Sequence, residues 1–493
     1  MTLDELLRTI SLPEFGGESP SIDSVTCDSR RVVPGSLFVV IDGLHEDGAS
    51  FVDEAVERGA VAIAGRERII ERKPLPLILL ERPRRDYARL CSAHYGNPSR
   101  SLAVVGVTGT NGKTTSTMIL EQILKSAGRR PGLIGTVKNS LGDREEMATM
   151  TTPGAEDLCR LLAEMRDSGL DSVALEVSSH ALDQNRLDGS RLAVAAFTTM
   201  ARDHLDYHET VEAYHEAKFK LIDYLAEDGC AVLNADAPET AKLIERIGAE
   251  RKILRYSLTG QSVEVSGSIV AMDLGGMTLN IEIEAVEVTC QTRVVGVHNA
   301  ANILLACTAA HALGVSATDI AKGIEDLKQV VGRCEVLPIN AEFDVLIDYA
   351  HSPDAFESML GTLRALTRGR LHVVFGCGGD RDKGKRPLMG QIAEVLADSV
   401  ILTDDNPRSE NPDKIIMDIK AGMQEPERAC YIANRREAVL HVLDTAAAHD
   451  VVLLAGKGHE QCQVIGDEVL PYDDHQVASE WGAWRDGSQG YAP

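Results

Sequence analysis

The sequence predicts an α/β protein of three domains, with mostly parallel sheets in the second and third. Three observations predict it. The 493 residues suit about three domains at roughly 150 residues each. Short, continuously apolar runs recur, each followed by a Gly-rich or polar turn and then a helical segment. That is the pattern of strands buried on both faces, with helices crossing over between them. Hydrophobic residues make up 44% and charged residues 25%, which excludes a largely disordered chain and leaves material for several cores.

The blocks follow in order. Residues 1–100 form a small N-terminal α/β domain with strand-like runs such as SLFVVI and AVAIAG. It closes with Tyr95-Gly-Asn-Pro-Ser, a loop signal that fits a linker. Residues 101–337 begin with the apolar strand Leu102-Ala-Val-Val-Gly-Val. Their runs are AVVGV, SVALEV, AVAAFTT and CAVLN. Residues 338–493 follow the turn-like Val331-Gly-Arg-Cys, with the runs VLIDY, LHVVFG, SVILTD and VVLLAG. There is no 20–50-residue repeat and no low-complexity tract. Ligands of open α/β sheets sit beyond the carboxyl ends of the strands, so the residues after each run carry the chemistry.

Composition removes several functions. Lys plus Arg is 50 against 75 Asp plus Glu, a formal charge of −25 that repels nucleic acid and anionic membrane. No apolar run approaches 18 residues, so no membrane insertion is expected. The N-terminus, MTLDELLRTI, is acidic and amphipathic, unlike a signal peptide. Ten scattered cysteines without a CxxC pair read as reduced, mostly buried thiols of a cytoplasmic protein. Both tryptophans, Trp481 and Trp484, fall in a Gly-rich tail, so an aromatic platform for single-stranded nucleic acid is not expected.

The strongest local signal follows AVVGV. Gly106-Val-Thr-Gly-Thr-Asn-Gly-Lys-Thr-Thr115 runs into the helical stretch STMILEQILKSAG. A glycine-rich turn from strand to helix aims backbone N–H groups at phosphate oxygens. Gly109, Thr110, Asn111, Gly112, Lys113, Thr114 and Thr115 are therefore the expected ATP-binding segment. Lys113 would neutralise the β/γ phosphates and the Thr114 hydroxyl would bind Mg²⁺. The spacing departs from GxxxxGK[ST], because Val107 stands where the first glycine belongs. The bland alternative is a tight turn with no ligand.

Two more run ends face the same sheet edge. One ends in Glu176 and leads to Val-Ser-Ser-His180; the other leads to Asp203-His204-Leu-Asp206-Tyr-His208. A carboxylate and an imidazole there could complete a Mg²⁺ site. A rival reading pairs His204 and His208 as zinc ligands at i,i+4, and a third takes them as ordinary loop histidines. Lys218, in Tyr214-His-Glu-Ala-Lys, reads from spacing alone as one more solvated lysine.

At GTNGKTT the chain resembles the Mur ligase family, ATP-dependent amide ligases that build the peptidoglycan stem peptide. The resemblance covers most of the chain. It extends through Asp28-Ser29-Arg30, Thr151-Thr152-Pro153, Glu176-Val-Ser-Ser-His180, Asp203-His204-Leu-Asp206, Tyr214-xxx-Lys218 and His298-Asn299-xx-Asn302. Beyond these stand Gly332-Arg333, Asp348-Tyr-Ala-His351-Ser-Pro-Asp354, Gly376-Cys-Gly-Gly-Asp-Arg381-Asp-Lys-Gly-Lys-Arg-Pro387, Asp405-Asn-Pro-Arg408 and Gly456-Lys-Gly-His-Glu460. GTNGKT alone would also suit folylpolyglutamate synthetases; DNPR with GKGHE is far more specific and points to the members that add the third amino acid.

The resemblance implies an N-terminal uridine-nucleotide domain, a central P-loop ATPase and a C-terminal Rossmann-like domain closing over the cleft. It implies UDP-N-acetylmuramoyl-L-alanyl-D-glutamate as acceptor, held by Ser29, Thr151, Thr152, Ser178, Gln184 and Arg186. Asn302 matches the position near adenine, and Arg333 and Asp348 match nucleotide-contacting positions. Lys113, Glu176, His204 and Lys218 are the implied catalytic set. Thr114, Glu176, His204 and Lys218 are the implied Mg²⁺ ligands, with Lys218 carried as a carbamate (N6-carboxylysine). This reverses the bland reading of Lys218.

The third amino acid is expected to be meso-2,6-diaminopimelate, which differs from lysine by one carboxylate. Arg408 would grip that carboxylate, Asp405 and Asn406 the distal amine, and Arg381 the other carboxylate; Gly456 and Glu460 would serve polar groups at the ligand's far end. The expected chemistry is attack of the D-glutamate carboxylate on the γ-phosphate, giving an acyl phosphate that the amine then displaces. His180, His351 and His459 are candidates to accept the amine's proton, with no choice among them. Two other readings stand beside this one: a switch or motor ATPase, and a Mur-type ligase for another substrate such as L-lysine.

Overall fold

The computed structural model describes residues 1–43, 47–66 and 75–485. Four short strands, Ser24–Thr26, Ser36–Val39, Ala60–Gly65 and Leu77–Leu79, pair in parallel and in sequence order. Helices Leu3–Thr9 and Pro83–His94 pack on this sheet. They bury Leu3, Leu6, Leu7, Tyr87 and Leu90 in one core with Val25, Leu37 and Ala62. Tyr95–Pro98 is a turn, as its Gly-Asn-Pro composition requires, with Gly96 at φ +73° and Asn97 at φ +52°.

An eleven-stranded sheet follows. Its middle is parallel, in the spatial order 252–257, 225–234, 192–197, 103–108, 172–176, 131–134. The four apolar runs read from the sequence are four of these strands, those at 131–134 and 252–257 being additional, and Ser172–Glu176 is buried along its whole length. Helices Lys113–Ser126 and Val297–Ala312 cover one face, with Ile119, Ile123, Ile303 and Leu305 buried between them and the strands. Helix Ala155–Asp167 covers the other with Leu158, Leu161 and Met165. Both ends of the sheet turn antiparallel: Val265–Asp273, Gly276–Ile283 and Val286–Thr292 at one edge, Lys138–Ser140 and Glu145–Met147 at the other.

The third sheet has six strands, in the order 335–336, 344–348, 451–455, 371–375, 399–402, 430–431. All neighbours are parallel except the first pair. Helices lie on both faces, the doubly-wound arrangement expected of a Rossmann-like domain. The tryptophans correct the sequence reading. They belong to the helix Asp474–Arg485, where Trp481 is buried against Phe343 and donates its Nε1–H to Asp444 Oδ1 at 2.8 Å. Residues 486–493 lie outside the described ones. All ten cysteines are free and seven are buried, as expected.

Candidate active site

The phosphate loop joins the strand Ala103–Thr108 to the helix Lys113–Ser126. Its glycines are required by backbone conformation and by space. Gly109 has φ +146° and Gly112 φ +88°; a Cβ on either would stand 1.7 Å from Thr198 Oγ1 or 2.1 Å from Asn302 Oδ1. The loop is stitched to the next strand end. Thr110 N donates to Thr199 O at 2.7 Å, and Thr198 Oγ1 donates to Asn111 O at 2.6 Å. Lys113 curls back, with Nζ donating to Gly109 O at 3.0 Å and Thr110 O at 2.9 Å. Burial lowers its pKa.

Glu176 is fixed by three hydroxyl or amide donors. Thr114 Oγ1 donates to Oε2 at 2.9 Å, Thr136 N to Oε1 at 2.8 Å and Thr136 Oγ1 to Oε2 at 2.9 Å. Thr136 was not singled out by sequence reasoning, although it follows the strand Pro131–Ile134 by two residues, where chemistry is expected. Glu176 and Thr114 present adjacent hard oxygens, a donor set that suits Mg²⁺ beside a triphosphate.

Lys218 is buried and donates to Gly109 O at 2.8 Å, with Nζ 4.2 Å from the centre of the Tyr214 ring. The solvated-lysine reading is therefore wrong. Burial, reinforced by Lys113, pushes its pKa well below the usual lysine range. An uncharged amine is no ligand for a hard cation, but it is the form that adds carbon dioxide. His204, at φ +51°, stands T-shaped to His180 with ring centres 4.9 Å apart, and partial burial lowers its pKa to about 4 despite Asp203. His208 turns to Ser179, with Nε2 and Oγ 3.0 Å apart. Among the described residues no group of three or more His, Cys, Asp and Glu could hold a metal, which leaves the zinc reading without support.

Next to the phosphate loop five of the six UDP-substrate candidates come together, and Ser29 is not among them. Thr152 Oγ1 donates to Glu176 O at 2.8 Å and accepts from Ser178 N at 2.9 Å; Thr151 Oγ1 is 3.1 Å from Thr136 Oγ1. Arg186 donates to Thr152 O at 2.7 Å and Gln184 Oε1 at 2.8 Å. Ser29 is on the N-terminal sheet's turn, bonded to Glu54 Oε2 at 2.7 Å. The same turn reaches the central domain through Arg31, which pairs with Glu156 at 2.7 Å and Asp157 at 3.0 Å just beyond Thr152.

The central and third domains meet over a cavity of about 370 Å³ lined by the phosphate loop, Asn302, Arg333, Asp348 and Tyr349. Asp348 accepts from the backbone N–H groups of Cys334 and Ala350, both at 2.7 Å, and so pins the turn that carries Arg333. Arg333 reaches Thr114 Oγ1 at 3.1 Å and lies over the Tyr349 ring at 4.6 Å. Tyr349 OH in turn stands 3.5 Å from Glu460 Oε1. His351, half-buried and with its pKa lowered by desolvation, lines the cavity, and His459 rests against Tyr349.

The third-domain candidates gather beyond Tyr349. A Cβ at Gly378 would lie 3.0 Å from Arg408 Nη1 and 3.8 Å from Arg381 Cγ; one at Gly456 would lie 2.8 Å from Asp405 Oδ2. Arg408, at φ +50°, donates to Gly379 O at 2.8 Å, and Asn406 Nδ2 donates to Glu460 Oε2 at 2.9 Å. Arg381 is exposed and bonded to its own neighbour, Asp380 O, at 2.9 Å. Lys457, quoted in GKGHE but given no role, is buried among these groups.

A phosphate loop at a strand end, faced across a cleft by Arg333 and Asp348 of the third domain, fits the class of ATP-using enzymes. The Mur ligase family models match in chain order: the family's catalytic domain at residues 21–90, the middle domain at 107–310 and the glutamate ligase domain at 332–458. The chain belongs to the Mur ligase family. Among its relatives is the UDP-N-acetylmuramoyl-L-alanyl-D-glutamate--2,6-diaminopimelate ligase of Geobacillus kaustophilus, 42% identical over 96% of this chain and 98% of that one. The ligase of the same name from Listeria monocytogenes serovar 1/2a is 39% identical over 97% and 98%. A solved structure of such a ligase superimposes with TM-score 0.71 at 32% identity, covering 99% of this chain and all of that one. The Mycobacterium tuberculosis folylpolyglutamate synthase shares the fold, with TM-score 0.60 at 18% identity over 82% and 94%.

Proposed function

We propose that the chain is the cytoplasmic, Mg²⁺-dependent ligase that adds meso-2,6-diaminopimelate to UDP-N-acetylmuramoyl-L-alanyl-D-glutamate in peptidoglycan synthesis. The observation that carries this reading is the gathering of Arg381, Arg408, Asp405 and Glu460 at one strand edge beside the nucleotide cleft. Two cations and two carboxylates suit a ligand with ammonium and carboxylate groups at each end.

The chemistry follows from charge. A carboxylate is a poor electrophile, so it first attacks the γ-phosphate, the bond from the γ-phosphorus to the bridging oxygen breaks, ADP leaves with that electron pair, and an acyl phosphate with a good leaving group is formed. The amine then attacks the acyl carbon and gives up a proton to a base, and phosphate leaves with the C–O electron pair. Lys113, freed from its own loop, faces the charge that develops between two anions. Thr114, Glu176, His204 and carbamylated Lys218 would hold Mg²⁺, which neutralises phosphate charge when bound. Asn302 would face the base, and Arg333, carried by the turn that Asp348 pins, would add a guanidinium to the phosphate side. Ser29, Thr151, Thr152, Ser178, Gln184 and Arg186 would orient the UDP-dipeptide so that its carboxylate meets the phosphate in line. The test is product mass from ATP and the UDP-dipeptide, with diaminopimelate and lysine in competition. Addition of the residue mass of diaminopimelate is expected; equal addition of lysine refutes the assignment.

A further inference from the structure

The proposed amino-acid site rests on a buried cation with no role so far. Lys457 exposes none of its side chain. Its Nζ donates to Asn406 Oδ1 at 3.2 Å and to Glu460 Oε2 at 3.0 Å. A buried ammonium persists only where its N–H groups meet acceptors, and here those acceptors are two side chains of the ligand cluster. Asn406 Oδ1 also accepts from Val464 N at 3.0 Å, while Nδ2 donates to Glu460 Oε2 at 2.9 Å. Turning the amide round would set its NH₂ against an ammonium and a backbone N–H. The amide therefore has one allowed orientation, and both lone pairs of its oxygen are in use. Glu460 Oε2 likewise has two donors. Its other oxygen keeps the longer 3.5 Å contact with Tyr349 OH.

We infer that Lys457 is a positioning residue that sorts the charged ends of the amino-acid substrate. By drawing Asn406 Oδ1 and Glu460 Oε2 inward, it leaves the second Nδ2 hydrogen of Asn406 for a carboxylate, beside Arg408. It leaves Glu460 Oε1, with Asp405, for an ammonium. The inference rests on the reading of this cluster as the amino-acid site and changes it in one place: Asn406, expected to take the distal amine, becomes a donor to the carboxylate.

Steady-state kinetics on the full-length enzyme decide it. The amino acid that wild type incorporates is established first. If it is not diaminopimelate, the substrate reading fails, and the same variants are measured with the amino acid that is used. Lys457→Met should raise KM for the amino acid at least tenfold while kcat at saturation is largely kept. KM for ATP and for the UDP-dipeptide should stay within twofold of wild type. An unchanged amino-acid KM, or equal rises in all three, overturns the inference. Asn406→Asp tests the orientation with the buried cation in place, because it keeps the oxygen for Lys457 and replaces the Nδ2 donors, one to Glu460 Oε2 and one toward the ligand, by an acceptor oxygen. A tenfold or greater rise in amino-acid KM is expected. An unchanged or lower KM would show that Asn406 accepts the ligand's amine, and the inference falls whether or not Lys457→Met folds.

Discussion

Lys113 and Lys218 both donate to Gly109 O, one from the phosphate loop and one from the helix Val211–Phe219. They differ in what the site asks of them. Lys113 must leave the loop carbonyls for phosphate, so Lys113→Ala should lower turnover about 10²-fold or more. Affinity for the UDP-dipeptide, measured by calorimetry, should stay near wild type because that ligand is held by other residues. Lys218 has to acquire an anion. Lys218→Ala should lose most activity, and acetate should restore part of it by replacing the missing carboxylate; near-normal turnover of the variant without acetate would refute the carbamate. Arg408→Ala should cost roughly 2–5 kcal/mol in selection of diaminopimelate over lysine, about 30-fold or more, with ATP binding unaffected. Legibility at this scale followed chemistry. Glycine-lysine-threonine spacing announces a phosphate loop, and strand ends announced Glu176. Lys218 read as a surface residue because its burial is set by Tyr214 and a loop 109 positions away. Lys457 was hidden for the same reason: its acceptors come from two other segments.

At the scale of elements, the apolar runs gave the parallel strands because a strand buried on both faces has no polar alternation to confuse it. The antiparallel strands from Val265 to Thr292 were not read. Gly276–Ile283 alternates intermediate or exposed with buried residues, and its register comes from neighbours rather than from any local run. The last helix, mistaken for a tail, is tied to the turn that carries Arg333. His475 near its start bonds Glu335 Oε2 at 2.7 Å, and that oxygen also accepts from Gly332 N at 2.7 Å. Burial alone would lower the His475 pKa, but hydrogen bonds to Asp473 and Glu335 raise it to about 9. A group raised above its unfolded value near 6.5 stabilises the fold fully below that pH and loses its contribution as pH rises through the folded value. The melting-temperature difference between wild type and His475→Gln should thus be largest near pH 6 and vanish by about pH 10. A difference independent of pH would show that the ion pair adds nothing.

At the scale of the molecule, three sheets were legible as three blocks because each has its own strands and core. Their mutual placement was not, since it depends on a few contacts far apart in sequence. Arg31 joins the first sheet to Glu156 and Asp157, and Arg333 joins the third to Thr114. The second of these has a thermodynamic consequence. Thr114, Arg333, Tyr349 and Glu460 form a continuous path from the phosphate end of the cleft to the amino-acid end. If both ligands favour the same placement of Arg333, each must tighten the other by an identical factor, because linkage between equilibrium affinities is reciprocal. The dissociation constant of ADP measured with and without diaminopimelate should change about 5-fold or more, and that of diaminopimelate with and without ADP by the same ratio. Arg333→Ala should bring both ratios to one. Ratios that stay high in the variant would place the communication elsewhere in the interface.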